Sequence, residues 1–148
     1  MREQFLNNTP ALKSLRHAVD NAVKSKGTLK AIDGRILPVR HSHAALNTLL
    51  QSAGAIMCKM WVVKFHKNMK ALGYVHGVHY WQAAFVHDEL QIRVCEKTFP
   101  ISTNAEGKKT SLVGEICVDT IRQVGIDLGV RIPLDGEYQI GSNYADTH

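Results

Sequence analysis

Three ionisable residues stand in a row within "AAFVHDELQI", residues 83–92: His87, Asp88 and Glu89. The flanking runs, Ala83–Val86 and Leu90–Val94, are rich in the β-branched and aromatic residues that pack on a sheet and read as two strands. A carboxylate taken out of water without a partner costs several kcal/mol or shifts its pKa. Two readings therefore compete at this point. Either the three side chains are solvated at a hairpin turn, or the strands exist to hold an acidic group at a fixed place in a cleft.

A second set lies upstream. His43, Asn47 and Gln51 are each four residues apart and stack along one face of a helix. The solvated side of a long helix normally carries Lys and Glu, yet no charged residue stands between Ser42 and Lys59. Short amides suit the minor-groove acceptors of DNA, which all base pairs display in similar positions. A face that contacts only those acceptors tests base-pair geometry rather than sequence. The competing reading is that the three simply mark the solvent side of the helix.

The elements that must position these groups can be followed along the chain. Thr9 and Pro10 open a helix, as N-cap and first helical residue, which Gly27 stops. "LKAIDGRILPV" is a hairpin around Asp33-Gly34, with Pro38 confining its second strand to an edge. Ser42 caps a helix of about 30 residues through Leu72, whose first half is apolar enough to be covered on several sides. Gly73 ends it, and "GYVHGVHYWQ" is a loop leading to the strand pair around Asp88. "TFPISTNAEGKKT" is a polar, mobile connection, Ser111 to about Gly129 a second amphipathic helix, and "EYQIGSNY" a closing strand. The order α-ββ-α-ββ-α-β predicts one α+β domain over residues 1–148, with helices packed on one face of a mainly antiparallel sheet.

Composition sets the outer limits. The 148 residues suffice for one domain with a core, and 45% hydrophobic with 21% charged residues is ordinary for a globular protein. No apolar run is long enough to span a membrane, and the N-terminus lacks a secretory apolar region. Three widely spaced cysteines without a Cys-x-x-Cys fit a reducing cytosol, so the expected location is cytoplasmic. The formal net charge of +5 permits binding to a polyanion without requiring it. His76 and His79 form a His-x-x-His in a loop but lack the paired thiols that make zinc spacing convincing, and they read as ordinary loop histidines.

Taken together, "FLNNTPALKSLR", "DGRILPVR-HSHAALNTLLQSAGA", "FVHDELQI" and "GSNY-ADTH" resemble the C-terminal end of a family A DNA polymerase of the phage replicative type. The resemblance runs in order from about Phe5 to His148. It implies that Asp88 is one of two aspartates holding catalytic Mg²⁺ ions, on the strand-turn-strand of motif C in the polymerase palm. It makes Glu89 a supporting acidic neighbour and places His87 near the primer terminus. Asn47 and Gln51 match positions that touch the minor groove of the primer–template duplex, and His43 stands where relatives outside the phage branch often have arginine.

The resemblance also implies what is absent. The other metal aspartate and the nucleotide-gripping fingers helix lie upstream of anything in this sequence, and two metals need carboxylates that bridge both. The expectation is therefore a C-terminal piece of a split DNA-directed DNA polymerase, inactive alone, that completes its site with a separate larger chain. The opening Met1 before a sensible helix start suggests a small gene product in its own right. A noncatalytic DNA-binding module using Lys59, Lys64, Lys67 and Lys70, or a nonfunctional polymerase remnant, is the alternative. Apolar surface that formerly met the rest of an enzyme would favour self-association into a homo-oligomer.

Overall fold

Proline at the start and glycine at the end bracket the longest helix of the N-terminal region, as their backbone preferences require. In the computed structural model, which describes residues 2–147, α1 is Arg2–Asn8 and α2 is Pro10–Lys26. Gly27 closes α2 at φ 66°, its N–H donating to the Val23 carbonyl at 2.8 Å, a conformation glycine adopts without a Cβ penalty. The α1 turn was not legible from the sequence.

Beyond Gly27, β1 (Thr28–Lys30) pairs antiparallel with β2 (Ile36–Pro38), Thr28 opposite Pro38 at the open end. Gly34, at φ 88°, turns the chain between them, and Asp33 accepts from the Arg35 guanidinium. That guanidinium holds the Asp33 carboxyl below the usual carboxylate range. A single 3-10 turn at Ser42–Ala44 then leads into α3, Ala45–Ala71. Ser42 is inside that turn and His41 precedes it, so the start is one step earlier than a Ser42 cap implies.

After α3, Gly73 (φ 85°) breaks the helix. β3 (Tyr80–Val86) and β4 (Glu89–Val94) form an antiparallel hairpin, and β5 (Ser102–Thr103) with β6 (Lys109–Thr110) a second, shorter one. The last helix is α4, Leu112–Asp127, and a 3-10 turn at Tyr144–Thr147 follows. The fold is α+β, and its named strands pair antiparallel but are divided among three two-stranded ribbons, with one isolated parallel bridge between His76 and Tyr80.

The chain divides into two compact units, Met1–Ile56 and Met57–His148. In the first, Val19, Leu29 and Ala45 are the buried centre, with Ala22, Val23, Leu37, Val39, Leu46 and Leu49 packed around them. The first half of α3 is less covered than its apolar composition suggests: Asn47, Leu50, Gln51 and Ala55 are exposed. In the second unit, Phe65, Met69, Tyr80, Phe99, Val113 and Cys117 form the core. The Trp61 indole N–H donates to the Cys117 carbonyl at 2.8 Å, and Asn68 donates to the Thr120 hydroxyl at 3.0 Å, tying α3 to α4 inside that unit.

Two sequence expectations fail here for physical reasons. "TFPISTNAEGKKT" is not a bare connection, because Asn104 accepts the backbone N–H groups of Glu106 and Lys108 and folds it into the β5–β6 hairpin. "EYQIGSNY" is not a strand. Its Tyr138 ring fills the space over Gly114 of α4, where a Cβ would meet the ring at 2.5 Å, and Leu134, just before the segment, would meet one on Gly125 at 2.9 Å. The segment docks on α4 through side chains, so its backbone has no strand to pair with among the described residues.

Candidate functional site

The β3–β4 hairpin carries two adjacent acidic residues, Asp88 and Glu89, next to a strained one, His87. Tyr80 pairs with Val94 and Gln82 with Ile92, and the register then shifts so that Ala84 faces Gln91, Phe85 faces Leu90 and Val86 faces Glu89. The extra residue is a β-bulge, a device that bends a strand and re-aims the side chains beyond it. Its effect here is to keep the core face apolar through the bend. Leu90, Ile92 and Val94 pack on the core from β4, while Glu89, Gln91 and Arg93 stand on the opposite face. Arg93 lies over the Trp81 ring at 5.0 Å, consistent with a shared outer face.

His87 and Asp88 are the two residues of the connecting turn. His87 has φ 54°, and among the described residues it is the one non-glycine at positive φ. Two-residue hairpins favour turns with positive φ at the first central position, where glycine is usual. A side chain there is strained, by of order 1–3 kcal/mol. Such strain persists where the surroundings enforce it, and it clusters at sites with a function.

Asp88 is exposed at the tip and makes no hydrogen bond or ion pair to another described residue. Its charge is nonetheless felt on α3. The Cys58 thiol is pushed above its ordinary range, first by its own burial and then by the Asp88 carboxylate. Glu89 is half-buried at the start of β4 and accepts from the Gln91 side-chain amide. The structure thus brings the three residues together, with distinct surroundings: a strained ring, an open carboxylate and a tied carboxylate.

His43, Asn47 and Gln51 belong to the first unit, and all three are exposed. His43 stacks on His41 with ring centroids 5.5 Å apart. Neither amide is bonded to another described residue, so the polar face is open. An amide in this setting needs no internal partner, because water satisfies it.

The histidines set aside as ordinary are loop organisers. His79 accepts the Val75 N–H at 2.8 Å through Nδ1, and His76 accepts the Gln82 N–H at 3.1 Å through Nε2. Among the described residues, no three His, Cys, Asp or Glu side chains are grouped closely enough to hold a metal ion. Sequence reasoning missed His66, which sits within the basic end of α3. Its Nδ1 meets the Tyr80 hydroxyl and its Nε2 the Gln82 side-chain oxygen Oε1, each at 2.8 Å. These residues line an open groove of about 620 Å³ together with Lys70, Tyr74, Val75 and His76. No local motif announces it, since its walls come from α3, the following loop and β3.

Comparison with known proteins decides among the families such a hairpin could serve. The whole chain is 34% identical to a segment of the DNA-directed DNA polymerase of Escherichia phage T7 and 35% identical to one in the corresponding polymerase of Enterobacteria phage T3. Nearly all of it, 97%, also aligns with DNA polymerase I of Aquifex aeolicus at 26% identity. The chain is related to the family A DNA polymerases. No protein-family model matches it. It spans 22% of the length of the T7 and T3 relatives, so this polymerase relative corresponds to a minor part of each. No helix among its described residues is long and apolar enough to cross a membrane.

Proposed function

We propose that this polymerase relative supplies one metal-binding carboxylate and a duplex-contacting face to DNA-directed DNA synthesis, together with a separate larger chain. Asp88 is the metal-binding carboxylate, Glu89 its supporting neighbour, and His87 the residue beside the primer terminus. His43, Asn47 and Gln51 contact the minor groove of the primer–template duplex. The site belongs to a palm-like region at the C-terminal end of the relatives' polymerase fold.

The observation that carries this reading is the open carboxylate on a strained turn. Mg²⁺ takes hard oxygen ligands in octahedral array and binds through one or two carboxylates plus substrate phosphates. Asp88 fits as one such donor, because its oxygens are committed to no other described residue. Glu89, held by Gln91, is less free to serve as the second. The chain thus offers an incomplete donor set, and the rest must come from other residues and the nucleotide. When bound, Mg²⁺ supplies neutralisation of charge on the transferring phosphoryl group. The protein's part is position, which a two-residue turn between paired strands gives more firmly than a long loop.

The decisive experiment reconstitutes the chain with a polymerase chain lacking the corresponding region and measures single-turnover primer extension. Asp88→Asn keeps shape but removes charge, and it should lower the rate by at least ~100-fold while DNA binding is unchanged. Glu89→Gln should have the milder effect. Near-normal extension by Asp88→Asn would return these residues to a solvated turn.

A further inference from the structure

β3 pairs with β4 on one side, and its other edge joins no further strand among the described residues. The loop at residues 73–79 covers that edge in place of a strand. The Gly77 N–H donates to the Tyr80 carbonyl at 2.8 Å, and the Gln82 N–H donates to Nε2 of His76 at 3.1 Å. The loop is also closed on itself, the Val75 N–H donating to Nδ1 of His79 at 2.8 Å. Two of these three bonds end on an imidazole nitrogen. Such a nitrogen accepts only while unprotonated, and a charged imidazole is a donor at both nitrogens. A backbone N–H cannot change role in response, so a proton on either ring leaves two donors facing each other.

His66 shows the contrast. Its partners, the Tyr80 hydroxyl and Gln82 Oε1, can both accept, so a charged His66 keeps both bonds. The other titratable side chains facing the loop are Lys70 from α3, Tyr74 of the loop itself and Tyr80 of β3. The His79 carbonyl accepts the Cys95 N–H at 2.9 Å, which adds the Cys95 thiol from the turn after β4. No acidic side chain lines the groove, and the His66 and His76 rings lie 5.2 Å apart. A charged His76 thus meets a lysine and a second imidazole rather than a counter-charge. His76 is exposed and His79 half-buried, so protons reach both. We propose that this loop is a proton-operated latch: as pH falls through the range in which histidine charges, His76 and His79 release the Gln82 and Val75 amides, and the loop leaves the β3 edge. The latch is tied above that range and open below it. What it uncovers is the strand edge at Tyr80–Gln82, next to the bulge at Gln82/Ala84. α3 and α4 stay in place, because the Trp61–Cys117 and Asn68–Thr120 bonds that join them involve no imidazole. The inference stands apart from the polymerase reading, since it concerns the conformation of this chain alone.

Amide hydrogen exchange of the ¹⁵N-labelled 148-residue chain between pH 7.5 and 5.0, corrected for the intrinsic pH dependence of exchange, tests it. Protection at the Val75 and Gln82 amides should fall by about tenfold or more, since each tied imidazole can favour opening by up to tenfold per pH unit. Protection within α3 and α4 should hold. Imidazole ¹⁵N shifts at pH 7.5 should show His76 Nε2 and His79 Nδ1 without a proton. His79→Asn and His76→Gln put a carbonyl oxygen near the place of the accepting nitrogen, and that oxygen does not titrate. His79→Asn should keep Val75 protected at pH 5.0 while Gln82 still loses protection, and His76→Gln should do the reverse. Unchanged protection of both amides in the parent chain, or a proton on either accepting nitrogen at pH 7.5, would overturn the latch. So would α3 and α4 losing protection together with the loop, or an undiminished pH response at Val75 and Gln82 in the double variant.

Discussion

Replacing His87 isolates backbone strain from side-chain chemistry. The ring is exposed, so its removal forfeits little packing, and what changes is the fit of the residue to φ 54°. Holding a non-glycine at positive φ costs of order 1–3 kcal/mol, and histidine sits at the low end because it is among the types enriched there. Glycine removes that strain but restores freedom to the unfolded chain, which offsets about 0.4–1 kcal/mol. His87→Gly should therefore leave stability within about 1 kcal/mol of the parent or raise it slightly. His87→Val, β-branched and ill suited to this region, should lose a further ~1–2 kcal/mol. For a chain of this size that difference is a shift of roughly 2–4 °C in Tm per kcal/mol. Both tryptophans, Trp61 and Trp81, lie in the unit that carries the hairpin, so their fluorescence during thermal unfolding reports the relevant transition. In the reconstituted polymerase the same His87→Gly should slow extension, since the ring is gone. A glycine variant less stable by more than ~1 kcal/mol, or a valine variant as stable as the parent, would refute the strain.

The amide face gives a complementary test. Because Asn47 and Gln51 are exposed, alanine at either should change stability by no more than about 0.5 kcal/mol while weakening duplex binding in fluorescence anisotropy; a melting loss with binding intact would refute the minor-groove assignment. Cys117 sets a pH dependence. Burial pushes its thiol up to about 12, above its unfolded value, so the stabilisation it confers is complete below the unfolded pKa and is lost as pH climbs toward the folded one. Between pH ~9 and ~12 it should add up to about 1.4 kcal/mol per pH unit to the loss of stability, and Cys117→Ala should show a shallower decline in urea midpoint over that range.

The parts of the fold legible in the sequence are those governed by local backbone chemistry. Pro10, Gly27, Gly34 and Gly73 each fix a boundary through their own φ, and neighbours cannot easily override that. The parts misread depend on distant partners. "EYQIGSNY" has strand-forming residues, but Gly114 and Gly125 leave hollows on α4 that Tyr138 and Leu134 fill, and side-chain docking replaced pairing. The bulge at Gln82/Ala84 was equally hidden, since a register shift is a property of two strands together. At the candidate site, residue types and spacing located the turn and the amide face. They gave no sign that His87 would be strained or that His66, Tyr80, Gln82 and His76 would form one network.

The two kinds of polar group in this chain divide by how their hydrogen-bonding capacity is used. His79 and Asn104 have their capacity met by backbone N–H groups from nearby residues, and each fixes a loop. Asp88, Asn47 and Gln51 are exposed and spend none of theirs on the described chain. Exposure alone is ordinary for polar residues and would carry no weight. What separates Asp88 from a generic turn carboxylate is its neighbour, a histidine held where glycine would be easier. A turn whose only task is to reverse the chain gains nothing from that strain, and glycine at position 87 would serve it better. A turn that must present a ring and a carboxylate at fixed positions to something outside the chain has a reason to keep it.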